Sequence, residues 1–243
     1  MRNIFPLIVA YKMLPPKNLT NLNHLSSLIK TKVILDIQMT TITEKILDGA
    51  QAREAWKKPL SPEPISIGDY NQRCDGNFVL CGDIRLDEDP KRQTTLTVHI
   101  DPANSARWKK ESEHIYAIVC NGQVMKLGGT RTGMEKRWSS YKCGYCVPQR
   151  VKRSTGKPFP GKMSVTNAHL YHTIEDSLLK GDVWQFWSWE LPQHTVSVQM
   201  PTGVSIDIAT QTYHGYESWC IKEFRNMAGH IPQLCDNSDP NYR

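Results

Sequence analysis

No run of apolar side chains in this 243-residue chain approaches the roughly 20 that a membrane-spanning helix requires. The apolar stretch 4–11 is too short and poorly flanked for a secretory signal. A soluble cytoplasmic protein is the expectation. A disulfide framework is also missing, because seven cysteines are an odd number and Cys143 and Cys146 stand only three apart; free thiols in a reducing compartment fit better. Acid is scarce along residues 1–38 and absent from 143–163. What the chain does have is an ordinary globular balance, 39% hydrophobic and 22% charged, so it can bury a real core. Its formal net charge of +6 fits a polyanionic ligand without demanding one. The length suits a core with a small arm.

The most informative stretch is 114–141. Two apolar runs, 115–119 and 124–127, flank Asn121-Gly122, a strong hairpin signal. A two-residue loop would pair Ala117 with Lys126 and send Tyr116 to the opposite face. A three-residue loop, Cys120-Asn121-Gly122 with Gly122 as a bulge, places Tyr116 directly opposite Lys126, and this is the expected arrangement. A lysine ammonium at that distance favours phenolate over phenol, which would make the tyrosine a base. Gly128-Gly129-Thr130 then leads into a helix over 133–142, where Arg137 and Tyr141 stand four apart on one face. Arginine offers a planar fork of donors that matches phosphate oxygens. Four side chains, Tyr116, Lys126, Arg137 and Tyr141, are thus spaced to surround one phosphate. Tyr116 alone would read as core and Arg137 alone as a solvated charge.

In this order the residues resemble the GIY-YIG nucleases, whose two short motifs lie on adjacent strands ahead of an arginine-bearing helix. Here the motifs read His114-Ile115-Tyr116 and Lys126-Leu127-Gly128. His114 replaces the family's leading glycine and Lys126 replaces the second tyrosine, a departure similar to one branch of type II restriction endonucleases. Arg137 matches the family arginine, and Tyr141 the tyrosine or histidine one turn later. The family then has a helix, a third strand and a helix with a metal-binding glutamate, for which the chain offers 167–180, 183–191 and Glu217 in Tyr216-Glu217-Ser218-Trp219. The resemblance implies an α+β fold, a small central antiparallel sheet in β-β-α-β-α order flanked by helices. It also implies magnesium-dependent hydrolysis of double-stranded DNA, one magnesium held by Glu217, and a homo-oligomer, dimer or tetramer. Asn226 and Asn237 are both available for the asparagine that often follows the glutamate; neither is assigned. The other nuclease signatures, an Asp followed by Glu-x-Lys in a strand or a histidine pair for a metal-bound water, are absent.

Around this core, 111–243, the chain divides further. Residues 1–38 read either as a flexible extension or as a segment ahead of a true start at Met39. Residues 39–110 read as an N-terminal helix over 43–57, a proline-rich linker and a small β-element from strand-like runs at 77–81 and 94–100. The loop 143–163 carries Arg150, Lys152, Arg153, Lys157 and Lys162 among prolines and glycines, a set suited to clamping the DNA backbone. Cys143 and Cys146 have the spacing of a zinc knuckle, with Cys74 and Cys81 or His169 and His172 as a second pair; free thiols are the favoured reading. The tryptophan-rich run 183–191 reads as a buried strand. The segment 192–212 reads as an inserted hairpin around Pro201-Thr202-Gly203 that approaches DNA.

Overall fold

Asn121 and Gly122 set the centre of the fold. The structure, a computed structural model, describes residues 54, 56–89, 91, 92, 94–146 and 164–235. Both turn residues take positive φ, 49° and 81°, the backbone of a two-residue type I′ turn, which Asn-Gly adopts most readily. The turn joins β3 (His114–Cys120) to β4 (Gln123–Thr130). The Asn121 side chain ties it to the next strand, donating to Asp182 Oδ1 at 2.8 Å and accepting from the Val183 amide at 2.8 Å.

Every residue of β3 is buried, because β5 (Trp184–Glu190) flanks its other side and helices cover both faces. Two further strands, β1 (Val79–Leu86) and β2 (Leu96–Ile100), complete a five-stranded sheet. Its order is β2-β1-β5-β3-β4 and all neighbours are antiparallel. This is the expected α+β class. The runs read as a small β-element ahead of the hairpin are β1 and β2, and they continue the hairpin's own sheet.

Alternation along the strands divides the core in two. On one face Tyr116, Ile118, Trp184 and Phe186 pack with Trp138 and Tyr141 of a helix, Met134–Lys142, and with Leu170 and Ile174 of another, Val165–Leu179. On the other, Ile115, Ala117, Val119 and Leu127 meet Cys220, Ile221 and Phe224 of Tyr213–Ala228. With Ile67–Arg73 as α1 and Ser105–Lys109 as α2, these three helices are α3, α4 and α5. The β5 tryptophan run is core, as read from sequence: Trp184 is fully buried and Trp187 and Trp189 partly so. No helix among the described residues is long and apolar enough to cross a membrane.

The outer edge of β4 decides where a ligand can approach. The Val124 amide donates to Ile65 O at 3.1 Å and the Leu234 amide donates to Met125 O at 2.9 Å. Cys235 Sγ lies 3.5 Å from the Leu127 amide and 3.4 Å from its carbonyl. Two remote segments therefore cover the edge as far as Leu127; beyond it Gly129 is partly exposed, between buried Gly128 and Thr130. The ladder alternates, so Gly129, like Leu127, turns its amide and carbonyl outward.

The loop length differs from expectation. Cys120 pairs with Gln123, Val119 with Val124, and Ile118 with Lys126, so the turn has two residues and Met125 is an extra residue in β4. The bulge resets the alternation that the shorter turn would have inverted. Tyr116 pairs with Gly128 rather than Lys126. Lys126 still shares its face, one pair away on the diagonal.

Candidate active site

Tyr116, Arg137 and Tyr141 form one hydrogen-bonded triangle. Arg137 Nε donates to Tyr116 Oη at 2.9 Å and Nη2 donates to Tyr141 Oη at 3.1 Å, while the two phenol oxygens are 2.5 Å apart. The guanidinium carbon also lies 4.6 Å from the Tyr141 ring centroid and 5.6 Å from that of Tyr116, within cation–π range. Each phenol oxygen accepts from Arg137, and one of the two phenol protons lies between the oxygens. The other remains for a substrate or for removal. Loss of that proton would leave a single negative charge shared across a short O···O contact beside a guanidinium.

Gly128 shapes this triangle by having no side chain. A Cβ there would lie 2.2 Å from Tyr116 Oη and 2.4 Å from Cζ, so the tyrosine ring rests on the bare strand. Gly129 does the same on the opposite face, where a Cβ would meet Tyr213 Cδ2 at 2.7 Å and Glu217 Oε2 at 3.0 Å. The phenol and the carboxylate thus approach adjacent residues of β4 from opposite sides of the sheet. Gly129, partly exposed between buried Gly128 and Thr130, is the strand residue next to both.

Lys126 is placed differently from the expectation. It is 6% exposed and its ammonium donates to Leu234 O at 3.0 Å, which holds it in the interior. Its charge acts on Tyr116 in the expected direction, but weakly. Burial drives the Tyr116 phenol well above the ordinary tyrosine range, Tyr141 adds to this, and Arg137 and Lys126 oppose without cancelling it. Burial raises Tyr141 too, against the opposing pull of Arg137. The idea that Lys126 makes Tyr116 acidic is therefore corrected: full burial is the larger effect.

His114 is also fully buried, with Nε2 3.0 Å from Ser112 Oγ and, among the described residues, no hydrogen-bond partner for Nδ1. Burial lowers its pKa to about 4 despite the nearby Glu190 carboxylate, so it is neutral at neutral pH.

Glu217 stands on α5 with a side chain 15% exposed, and His214 Nδ1 is 3.9 Å from its Oε2. Among the described residues no group of three or more His, Cys, Asp or Glu could enclose a metal. A single, partly exposed carboxylate does fit magnesium, which takes most of its ligands from water and phosphate oxygens. His214 and Tyr213 were not picked out from the sequence. Their signal was present: His214 stands three before Glu217 on a helix, hence on the same face.

The zinc reading finds its ligands scattered. Cys143 is exposed, with Sγ 3.9 Å from Ser139 O, and the Cys146 side chain lies outside the described residues. Cys74 and Cys81 are buried in different clusters, His169 Nδ1 meets Trp56 O at 2.6 Å, and His172 is buried. Arg150, Lys152, Arg153, Lys157 and Lys162 lie outside the described residues, as does the expected extension 1–38. At the end of α3, Ser140 O accepts from Asn167 Nδ2 of α4 at 3.0 Å, one residue before Tyr141.

No family model and no curated protein matches the sequence. Among solved structures the chain is similar to restriction endonuclease HPY188I in complex with product DNA, at 20% identity and TM-score 0.41 over 72% of this chain and 87% of that one. It is also similar to a mutant of bacteriophage T4 EndoII, at 20% identity and TM-score 0.40 over 64% and 95%. At this level of likeness no residue's role passes from either protein to this chain.

Proposed function

We propose that the chain is a magnesium-dependent endonuclease of GIY-YIG type that hydrolyses DNA phosphodiesters, and that its biological role is sequence-specific restriction. The observation that carries this reading is the Tyr116–Arg137–Tyr141 triangle, which a strand and a helix 21 residues further on bring together against Gly128 of β4. Among the described residues the Arg137 guanidinium bonds two phenols rather than a carboxylate, an arrangement that suits an incoming phosphate.

The scissile phosphate would lie against the edge of β4 at Gly129, in reach of the triangle from one side and Glu217 from the other. Arg137 would neutralise charge that accumulates on the phosphate oxygens, and Tyr116 would take the proton of the attacking water. Tyr141 would orient that water and, before the transfer, share the phenolate charge that the incoming proton then cancels. Glu217 would hold magnesium, which when bound stabilises the leaving oxygen. Lys126 enters as a buried positive charge that supports the phenol pair from behind. The five cations of 143–163 would contact backbone phosphates beside the site. Restriction is favoured over a homing or repair role because Lys126 stands where that branch of the resembled family has it.

Incubation of the protein with unmethylated DNA of known sequence and magnesium is the test. Discrete fragments support restriction, and a smear supports a non-specific nuclease. A mobility shift without cutting would replace the enzymatic reading with that of a DNA-binding protein.

A further inference from the structure

The strands β6 (His194–Gln199) and β7 (Ser205–Thr210) form a sheet of their own, and every residue of β6 and all but the last of β7 are exposed. Val196 pairs with Ile208 and Val198 with Ile206, so four branched side chains share one face; Thr195, Ser197, Gln199, Ser205 and Asp207 hold the other. Met200 and Val204, joined by a 2.8 Å backbone hydrogen bond, extend the apolar side toward the tip. These six apolar side chains are 38–58% exposed. The pattern is that of a strand pair made for a core, turned toward solvent.

An isolated two-stranded hairpin is marginally stable at best, so this face calls for a cover. The six side chains offer on the order of 450 Å² per copy, as large as the biggest apolar patch on a typical monomer. The surface also continues. His194, on the same face, stacks on Tyr216 with centroids 6.4 Å apart. Tyr216 in turn helps to line a cleft of about 590 Å³ with Trp189 and Trp219. That continuation brings the area toward the roughly 800 Å² per partner of a standard interface.

We propose that the apolar face of the β6–β7 hairpin pairs with the same face of a second copy of this chain. DNA is a poor occupant, since residues 192–212 contain no lysine or arginine and one aspartate in a chain of net charge +6; the hairpin's expected approach to DNA gives way to this reading. A second copy fits on symmetry. Val196, Val198, Met200, Val204, Ile206 and Ile208 form one continuous patch, which a two-fold axis can set against its own copy in an isologous contact. It fits on chemistry as well, and here the inference rests on the nuclease reading. One chain carries one site, and cutting both strands of a duplex takes two. The hairpin is well placed to align them, because β7 runs directly into α5 and Glu217. Its base is fixed by Glu113 Oε2, which accepts from the Thr212 amide at 2.9 Å and from Thr212 Oγ1 at 3.0 Å.

The experiment is light scattering of the full chain at micromolar concentration. The wild type is expected at twice 27.8 kDa. Val198→Glu and Ile206→Glu, made separately, should each weaken pairing at least 100-fold and give the single-chain mass with an unchanged circular dichroism spectrum. If either glutamate disturbs the fold, Val198→Ser combined with Ile206→Ser replaces it. Thr195→Glu and Gln199→Glu, on the polar face, should keep the double mass. A wild type of single-chain mass overturns the proposal, as do apolar-face variants that stay paired or polar-face variants that dissociate equally. Apolar-face variants that keep the double mass but lose DNA retardation would overturn it in favour of a DNA surface. Mass is read without reference to cleavage, so a protein that pairs as expected but cuts no DNA removes the nuclease reading and leaves the pairing standing.

Discussion

Gly128 and Gly129 leave room that two other residues occupy, and this is the finest detail on which the site depends. Gly128→Ala would drive a methyl group into the Tyr116 ring and displace the phenol from Arg137. The β pairing would survive it. Cleavage should fall about 100-fold or more, the usual cost of one misplaced transition-state group, while the melting temperature changes little by comparison; single-turnover rates and a thermal melt check both. The protonation of Tyr116 makes a second prediction. Its folded pKa lies well above 10 because of burial, so at neutral pH the phenolate is the minor form and its fraction rises tenfold per pH unit. The cleavage rate should climb without a plateau from pH 7 to 9. A rate already flat by pH 8 would mean that another group is the base. The sequence carried the membership of this cluster, since Tyr116, Arg137 and Tyr141 meet as their spacing implies. It did not carry the protonation. Lys126 is near in sequence and visible, whereas the burial that outweighs it comes in large part from Phe186, Leu170, Ile174 and other residues far along the chain.

At the scale of elements, the hairpin turn shows what local sequence can and cannot specify. Asn121-Gly122 marks a turn, and the observed type I′ geometry is the one these residues favour. The bulge at Met125 has no comparable signature: Met125 is buried in the core and its carbonyl is taken by Leu234, a contact across more than 100 residues. A shorter turn plus an extra residue restores the face that a longer turn would have given. Asn121→Ala tests the turn. It removes two 2.8 Å side-chain hydrogen bonds to Asp182 and Val183 and places alanine at φ 49°, for a combined cost of about 2–3 kcal/mol. Denaturant unfolding should show that loss, with the cleavage rate per folded molecule unchanged. A variant as stable as the wild type would contradict the structural role given to Asn121.

For the whole molecule, the sheet order β2-β1-β5-β3-β4 puts the candidate site at one end and buries β3 and β5 in the middle. Individual core strands and helices were legible in the sequence because strand and helix periods are local properties, whereas the α+β class came through the family resemblance. That β1 and β2 join the same sheet, or that residues 65 and 234–235 close most of its edge, depends on long-range pairing and left no periodic trace. Glu217 was reached only through its order in a family pattern, and it lies across the strand from Tyr116 rather than beside it. The most direct measurement of whether these two faces act as one site is cleavage of an end-labelled duplex with magnesium by the wild type, Arg137→Ala and Glu217→Ala, with DNA binding followed in parallel by mobility shift. The account predicts cutting by the wild type and a loss of at least about 100-fold in each variant, with binding retained. Wild-type cutting by either variant would contradict it.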